Sequence, residues 1–339
     1  MSGEKKADIL PVRLPFSGGD NPEITRRLLE IGTIGEISLL KRIYYRFARP
    51  LMPLPLRHWL QERVTSKIQC KPDYIDDSLV NWIEQHLPKK SVSSFYPMSP
   101  GGNRYQSAVV MTHDVETQAV CDFIPKVTEL EAEYGITSSW NFVPNLYNID
   151  TRLLEELRNT GHEIGIHGYN HDGKLYFSKA EFNSRMLKIN LAAKCYNTCG
   201  FRSPMVQRNL SWLQQLDTDY DASCFDYDPY QPMPGGTGSI WPFQAGRLIE
   251  LPYTLPQDHT LFYVLKQKNC NLWKRKADWV RNHKGVVLLI THPDYLMEPG
   301  NLKVYEKLLK HLTQWKDSWF CLPREIAAHT RKKLNALKN

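Results

Sequence analysis

The 339-residue sequence has no long apolar run and no disulfide framework. Its longest apolar run, Val286–Ile290, is far shorter than the roughly 20 residues that a membrane-spanning helix needs. The N-terminal residues lack the apolar core of a secretory signal peptide. The seven cysteines are odd in number and scattered, without the spacing of a disulfide domain or a zinc site, so we expect reduced thiols. These features predict a cytoplasmic location.

The positive charge is also too dispersed to indicate a nucleic-acid partner. The net charge is +7, but lysine and arginine are spread along the chain and no nucleic-acid-binding module is present. One stretch, Leu39–Val64, mixes arginines with aromatic and aliphatic residues around three prolines. We favour a role for it as a cover over the main domain, with the arginine stems on apolar surface. Peripheral contact with the inner face of a membrane is the alternative.

The pattern of the chain changes after its first hundred residues. Residues 1–100 show no catalytic pattern, and Ser91–Asn103, rich in serine, proline and glycine, predicts a linker. From Ser107 onward, β-branched runs alternate with capped helical segments. This alternation predicts an α/β fold with a parallel sheet, and the number of units favours a TIM-like (β/α) barrel. We predict a mostly helical extension at 1–100 and the barrel at 101–339.

Residues suited to catalysis stand where the predicted strands end. The strand in GHEIGIHGYNHD is followed by His167 and His171, which have the spacing to share a divalent cation such as zinc. Because the C-terminal ends of barrel strands meet on one face, we expect the side chains at other strand ends to join them there. These side chains are Asp114, Glu116, Arg202 and His292.

Four segments, THDVE, HEIGIHGYNHD, GFRSP and LLITHP, resemble in this order the signature motifs of the polysaccharide deacetylase family. This family is the NodB homology domain of carbohydrate esterase family four, and the resemblance covers about Ser107 to Leu296. It implies a distorted (β/α) barrel and a hydrolase of carbon–nitrogen bonds that removes acetyl groups from N-acetylated sugars. It also implies a divalent metal, most simply zinc, with cobalt, nickel or manganese as alternatives. The expected partner is an N-acetylated glycan or its cytoplasmic precursor.

The resemblance also implies a role for each residue at the site. Asp114 matches the general base, and Arg202 matches the residue that orients it. His167 and His171 match the metal-binding histidines, and His292 matches the general acid. These roles make physical sense, since a neighbouring cation keeps a carboxylate ionised and a charged imidazole can protonate a departing amine.

The first motif departs from the family pattern, which usually has two adjacent aspartates. Here Val115 occupies the second position and Glu116 follows it. Side chains two residues apart in a strand share a face, so Asp114 and Glu116 can both point at the site. We therefore predict that Glu116 is the third metal ligand. Two alternatives stay open: Asp114 binds the metal itself, or the site holds no metal and Glu116 is a solvated carboxylate.

Other residues near the motifs are assigned structural roles. His113 should face away from the site because it flanks Asp114, and His162 should be structural. A buried histidine needs a partner, and Asp294 is the predicted partner of His292. The aromatic region Tyr220–Trp241 is interpreted either as a substrate-binding loop or as part of the core.

Two further functions remain compatible with the sequence. One is an amidohydrolase of the same fold that acts on a non-sugar carbon–nitrogen bond, such as that of a cyclic ureide, with or without a metal. The other is a non-catalytic glycan-binding barrel. A matched base and acid argue against the second, because a binding module has no use for them. The sequence does not indicate an oligomeric state.

Overall fold

The computed structural model of this protein describes residues 10–32, 39–53, 56, 60, 63, 68, 73–231 and 236–338. Ten strands in these residues form one sheet. In chain order they are β1 (Val12–Arg13), β2 (Ser107–Val115), β3 (Ser139–Phe142), β4 (Glu163–His167), β5 (Gly200–Arg202), β6 (Tyr220–Asp221), β7 (Phe243–Ala245), β8 (Leu248–Glu250), β9 (Val286–Thr291) and β10 (Ser318–Phe320).

The sheet is organised around β2, which is buried along its whole length and has three parallel partners. These are β9, β10 near the beginning of β2, and β3 near its end. From β3 the parallel order continues through β4, β5, β6 and β8. At the far edge β7 runs antiparallel to β8, and β1 runs antiparallel to β7.

The sheet curls until the chain after β8 meets β9. The backbone N–H groups of Thr254 and Leu255 both donate to the carbonyl of Leu288, and the Thr254 hydroxyl donates to the carbonyl of Val286. These hydrogen bonds connect the two ends of the parallel region, which gives a distorted barrel. The predicted fold class, an α/β protein with a distorted TIM-like barrel, is confirmed.

Helices flank the sheet, and three of them begin with a side-chain cap. The side chains of Asp150, Ser178 and Asn209 each accept a hydrogen bond from a backbone N–H in the first turn of a helix. The α-helices are Pro22–Gly32, Leu39–Ile43, Arg49–Leu51, Ser78–His86, Lys89–Ser93, Ile124–Glu133, Thr151–Asn159, Lys179–Cys195, Leu210–Leu213, Asn271–Asn282, Pro293–Leu296, Asn301–Leu312 and Pro323–Ala336. Two 3₁₀ segments, Gln118–Phe123 and Pro204–Val206, and two π-helical segments, Tyr44–Ala48 and Thr260–Val264, complete the set.

The described part of the first hundred residues packs against the barrel. Strand β1 extends the sheet, and Leu28 and Val80 belong to the same hydrophobic core as the barrel strands. The segment predicted as a linker, Ser91–Asn103, contains the fully buried Phe95 and Tyr96, and the Tyr96 hydroxyl donates to a backbone carbonyl 2.8 Å away. The division of the chain at residue 100 stays a prediction.

The structure also bears on membrane-spanning helices and on disulfides, neither of which the sequence predicts. Among the described residues, no helix is both long enough and apolar enough to cross a membrane. The six cysteines in the described part of the chain are free, as predicted.

Candidate active site

The two carboxylates at the end of β2 face the same histidine. The Nε2 atom of His167 lies 3.8 Å from Oδ2 of Asp114 and 3.6 Å from Oε1 of Glu116. Between the carboxylates, Val115 is fully buried in the core. Alternation along the strand therefore brings Asp114 and Glu116 to one face, as the two-residue spacing predicts.

Glu116, His167 and His171 form a cluster that fits a divalent cation. Their candidate ligand atoms lie within 4.8 Å of one another, and Oε1 of Glu116 is 2.9 Å from Nε2 of His171. That contact is not aligned as a hydrogen bond, so the buried Nε2 atoms of both histidines lack hydrogen-bond partners. Buried polar atoms are rarely left without a partner, and two imidazole nitrogens beside a carboxylate are a donor set that zinc accepts.

Other contacts of these three side chains favour the orientation and charge state that a metal ligand needs. Nδ1 of His167 lies 3.3 Å from the backbone carbonyl of Arg202, which favours the tautomer whose Nε2 lone pair faces the site. Burial opposes ionisation of Glu116, but the nearby His171 and His167 outweigh it and hold the pKa of Glu116 well below its usual range. Glu116 is therefore a carboxylate at neutral pH, as a metal ligand must be.

The loop after β4 takes an unusual backbone path to place His171. Gly168 has a φ of +62°, and a Cβ atom at this position would collide with the ring of Pro204. His171 itself has a φ of +50°, a region that side chains other than glycine seldom occupy. Strain of this kind persists only where the surrounding contacts impose it, and it is concentrated at functional sites.

Asp114 is held by two donors on one oxygen. Nη1 of Arg202 and Nδ2 of Asn141 both donate to Oδ1 of Asp114, at 2.9 and 2.8 Å. Burial raises the pKa of Asp114, but the Arg202 charge and the weaker influence of His167 and His292 outweigh it and lower the pKa to about 2. Asp114 is therefore ionised, with its other oxygen directed toward His167.

Two further acceptors hold the guanidinium of Arg202 in place beside Asp114. Its Nε donates to the carbonyl of Ala222, and its Nη1 also donates to the Thr112 hydroxyl, both at 2.9 Å. Arg202 is almost completely buried, so its contact with Asp114 has little solvent screening. The structure thus brings Arg202 and Asp114 together as the resemblance implies, although their catalytic roles stay predictions.

His292 enters the site from the end of β9, but its partner differs from the predicted one. Its Nδ1 lies 2.7 Å from Oδ1 of Asp258, and its backbone N–H donates to Oδ2 of the same residue. Its Nε2 faces Oε1 of Glu116 at 3.6 Å. Burial lowers the pKa of His292, but Asp258, with help from Glu116 and Asp114, raises it to about 10. The imidazole is therefore positively charged at neutral pH.

The prediction that Asp294 partners His292 is wrong. A short helix, Pro293–Leu296, begins directly after His292 and directs Asp294 elsewhere. The Asp294 carboxylate accepts a hydrogen bond from the Thr117 hydroxyl at 3.4 Å. Asp258 lies in a helical turn that leads into the segment Thr260–Val264, 34 residues before His292, and had no sequence signal of its own. Asn141 could have been found, because it stands opposite Asp114 in the β2–β3 register.

The remaining candidates lie outside the site. His113 hydrogen-bonds to buried Glu131 and to Thr291, on the other side of β2 from Asp114, as predicted. His162 accepts a hydrogen bond from a backbone N–H and is structural. The region Tyr220–Trp241 contributes buried aromatic side chains to the core, which favours the core interpretation for its described part.

The fold and this cluster together define a barrel whose strand ends carry a carboxylate–arginine pair, a charged histidine and three candidate metal ligands. No family model matches the chain. Over 244 residues it is 22% identical to a peptidoglycan deacetylase of Helicobacter pylori, an alignment that spans 60% of this chain and 82% of the relative.

Solved structures with the same fold support this comparison. A Mycobacterium smegmatis structure assigned as a polysaccharide deacetylase has a TM-score of 0.55 and 20% identity, over 70% of this chain and 94% of the other. The allantoinase Puue has a TM-score of 0.52 and 15% identity, over 78% and 98%. The predicted resemblance is confirmed: this chain is similar in sequence to a peptidoglycan deacetylase and in fold to a polysaccharide deacetylase.

Proposed function

We propose that this chain is a metal-dependent hydrolase that removes the acetyl group from an N-acetylated sugar, in a polysaccharide or in its cytoplasmic precursor. The observation that carries the proposal is one cluster that holds an ionised aspartate, a charged histidine and two histidine nitrogens without hydrogen-bond partners. A base, an acid and a cation site are the parts that hydrolysis of an amide requires.

Glu116, His167 and His171 are the residues that would hold the cation, with zinc as the expected metal and cobalt, nickel or manganese as alternatives. Such a cation would polarise the amide carbonyl and lower the pKa of water. Glu116 is a better candidate for the third ligand than Asp114. Its Oε1 lies 3.6 Å from Nε2 of His167 and 2.9 Å from Nε2 of His171, whereas Oδ2 of Asp114 lies 3.8 Å from Nε2 of His167.

Asp114 serves as the general base through Oδ2. Its Oδ1 already accepts two hydrogen bonds, so Oδ2 is the oxygen left to take a proton from water as the water attacks. Arg202 keeps the carboxylate ionised and, through its own contacts with Ala222 and Thr112, fixes its direction.

His292 serves as the general acid. Its Nδ1 is engaged by Asp258, so the proton on Nε2 is the one directed into the site. An amine is a poor leaving group unless it is protonated, and a charged imidazole supplies that proton as the carbon–nitrogen bond breaks. Asp258 makes this possible because it stabilises the charged form in a buried position.

A cytoplasmic location at or near the inner membrane face is part of the proposal. The free cysteines support it, since disulfides are rare in reducing compartments. The substrate would then be an N-acetylated glycan precursor made inside the cell.

A second candidate is an amidohydrolase that opens a non-sugar carbon–nitrogen bond, such as that of a cyclic ureide. The observation that favours it is Val115 at the position where the family usually has a second aspartate. A barrel that only binds glycans is less well supported, because the charged His292 and ionised Asp114 stand ready for proton transfer.

The test is acetate release from N-acetylated chitooligosaccharides and peptidoglycan fragments by the metal-loaded protein. Asp114→Asn should lower the rate by about 10²-fold or more, because the amide cannot take the proton. Asp317→Asn is the matched control, since Asp317 also pairs with an arginine, Arg281, at 2.7 Å on the surface. Ring opening of a cyclic ureide without acetate release from any sugar would replace the first candidate with the second.

A further inference from the structure

A buried polar bridge joins β2 to β9 directly behind the candidate active site. The paired register of the two strands ends at His113 and Thr291, so Asp114 and His292 each lie one residue beyond it. Nδ1 of His113 lies 2.7 Å from Oγ1 of Thr291, and Nε2 of His113 lies 2.8 Å from Oε1 of Glu131. We call these three residues the strand-end bridge. It connects the last paired residues of the two strands that carry the predicted base and acid.

The strand-end bridge occupies positions where strand alternation predicts apolar side chains. His113 and Thr291 lie on the outer face of the sheet, which packs against the flanking helices. The other residues of β2 and β9 that belong to the core on this face are all apolar, namely Val109, Met111, Val115, Val287 and Leu289. His113, Thr291 and Glu131 are buried as deeply as these neighbours. Because buried polar groups are often no more stabilising than apolar side chains of similar size, their presence here favours a role in geometry.

Further contacts make the strand-end bridge rigid. Glu131 also accepts hydrogen bonds from the hydroxyls of Tyr305 and Ser138, both at 2.6 Å. The ring of His113 stacks on Trp140, with the ring centroids 4.0 Å apart. Burial raises the pKa of Glu131, but His113 and the two hydroxyls outweigh it and lower the pKa, so Glu131 is a carboxylate at neutral pH. A carboxylate only accepts, so Nε2 of His113 donates to it and Nδ1 faces the neighbouring strand.

The base and the acid are held by separate sets of contacts. The hydrogen bonds to Asp114 come from Arg202 and Asn141, whereas His292 contacts Asp258 through its ring and its backbone N–H. In the described part of the chain these two sets share no residue. The distance between the base and the acid therefore depends on how β2 and β9 are held together where their pairing ends.

We propose that His113 is a positioning residue, which sets the separation of Asp114 and His292 by fixing the last paired residue of β2 to that of β9. The inference rests on the proposed function, in which the base and the acid act on the same amide. A misplacement of about 1 Å can cost roughly 10²-fold in rate. His113 does not contact the substrate and acts only through the two strands.

The test removes the link between the strands and leaves the rest of the bridge intact. Thr291→Val keeps the shape of the side chain and the pair of His113 with Glu131, whereas a change of His113 would leave a buried carboxylate without its partner. Thr291→Ser restores the hydroxyl. The matched control is Thr330→Val, because Thr330 is also fully buried and its hydroxyl donates to a backbone carbonyl at 2.7 Å, in the C-terminal helix.

The kinetic readout is acetate release from an N-acetylated oligosaccharide by the metal-loaded proteins. Thr291→Val should lower kcat by about tenfold or more and leave KM unchanged, and Thr291→Ser should recover most of the loss. Both valine variants should lose a similar amount of stability to urea, because each loses one buried hydrogen bond, but Thr330→Val should keep its kcat. Hydrolysis of para-nitrophenyl acetate should fall about twofold at most in Thr291→Val, because this leaving group departs without a proton from the acid.

A crystal structure of each valine variant gives a readout that needs no activity. In Thr291→Val we expect Asp114 and His292 to move relative to each other by about 0.5 Å or more, and in Thr330→Val we expect no such change. An unchanged separation in Thr291→Val overturns the positioning role, as does a kcat loss no larger than that of Thr330→Val or an equal loss on the amide and the ester. A changed separation in a protein whose wild type releases no acetate would instead refute the proposed function and leave the positioning role standing.

Discussion

Replacing Asp258 with asparagine tests how the structure keeps His292 charged. Asp258 makes two contacts with His292, one to the ring Nδ1 at 2.7 Å and one to the backbone N–H at 2.6 Å. The pKa of His292 rises from 6.5 to about 10 although burial lowers it. A rise of roughly 3.5 units corresponds to about 5 kcal/mol in favour of the charged imidazole. The Asp258 carboxylate contributes the largest share of that stabilisation, because it is the largest influence that raises the pKa of His292.

The asparagine variant should lose most of this stabilisation. Its amide has no charge, and the NH₂ group that faces Nδ1 selects a neutral ring with its proton on Nε2. If the pKa of His292 returns to its usual value, only ~10% of the protein carries the charged acid at about pH 7.5. We expect the rate of acetate release at this pH to fall by about tenfold, in proportion to the charged fraction, and to recover as the pH is lowered.

The assay combines a titration with kinetics. The pKa of His292 is followed by NMR of the ring protons in chelator-treated protein, and acetate release is measured against pH with metal restored. Asp278→Asn is the matched control, because Asp278 pairs with His311 at the same distance, 2.7 Å, on the outside of the barrel. A His292 pKa that stays above about 9 in the Asp258→Asn variant would refute the assignment of Asp258 as the group that keeps the acid charged.

Three further substitutions test packing and charge, two of them at the site and one, at Glu163, at the opposite end of β4. Arg202→Met leaves the Asp114 carboxylate buried without its cation, so the free energy of unfolding in urea should fall by about 3 to 5 kcal/mol and acetate release should be lost. Gly168→Ala should lower the free energy of unfolding by about 1 to 3 kcal/mol and weaken metal binding in a metal titration. The φ of +62° at Gly168 is unfavourable for alanine, and the Pro204 ring occupies the space that the methyl group would need. Burial raises the pKa of Glu163 from 4.5 to about 7. The folded state therefore keeps a proton that the unfolded chain has lost, and stability should fall by about 3 kcal/mol as the pH rises through this interval. Glu163→Gln should remove that slope in urea titrations at successive pH values, and an unchanged slope would contradict the pKa assignment.

The convergence of residues from distant parts of the chain could be anticipated from the sequence. Asp114, His167, Arg202 and His292 each follow an apolar run, and the ends of parallel strands meet on one side of a barrel. Each motif thus marks the end of a strand, and the barrel fold then brings these strand ends together. Glu116 could also be predicted to face the site, because side chains two residues apart in an extended strand point to the same face and Glu116 is two residues after Asp114.

What could not be predicted depends on contacts between segments that are distant in the chain. Asp258 reaches His292 from a short helical turn 34 residues earlier in the chain. The sequence around Asp258 has no periodic pattern, so neither the type of this element nor the direction of the Asp258 side chain could be inferred. Asp294 was the nearer candidate in sequence, but the helix that begins at Pro293 turns it toward Thr117. Strand β1 is only two residues long, and its pairing with β7 carries no alternation that would reveal it.

The central claim, a divalent cation held by Glu116, His167 and His171, is tested most directly by the metal content of the purified protein. Elemental analysis is made on three proteins. These are the wild type, the double variant that carries His167→Ala and His171→Ala, and His311→Ala as a surface histidine control. Near-stoichiometric metal in the wild type and the control, and its loss in the double variant, is the predicted result. The contradictory result is a wild-type protein that takes up neither zinc, manganese nor cobalt when these are added.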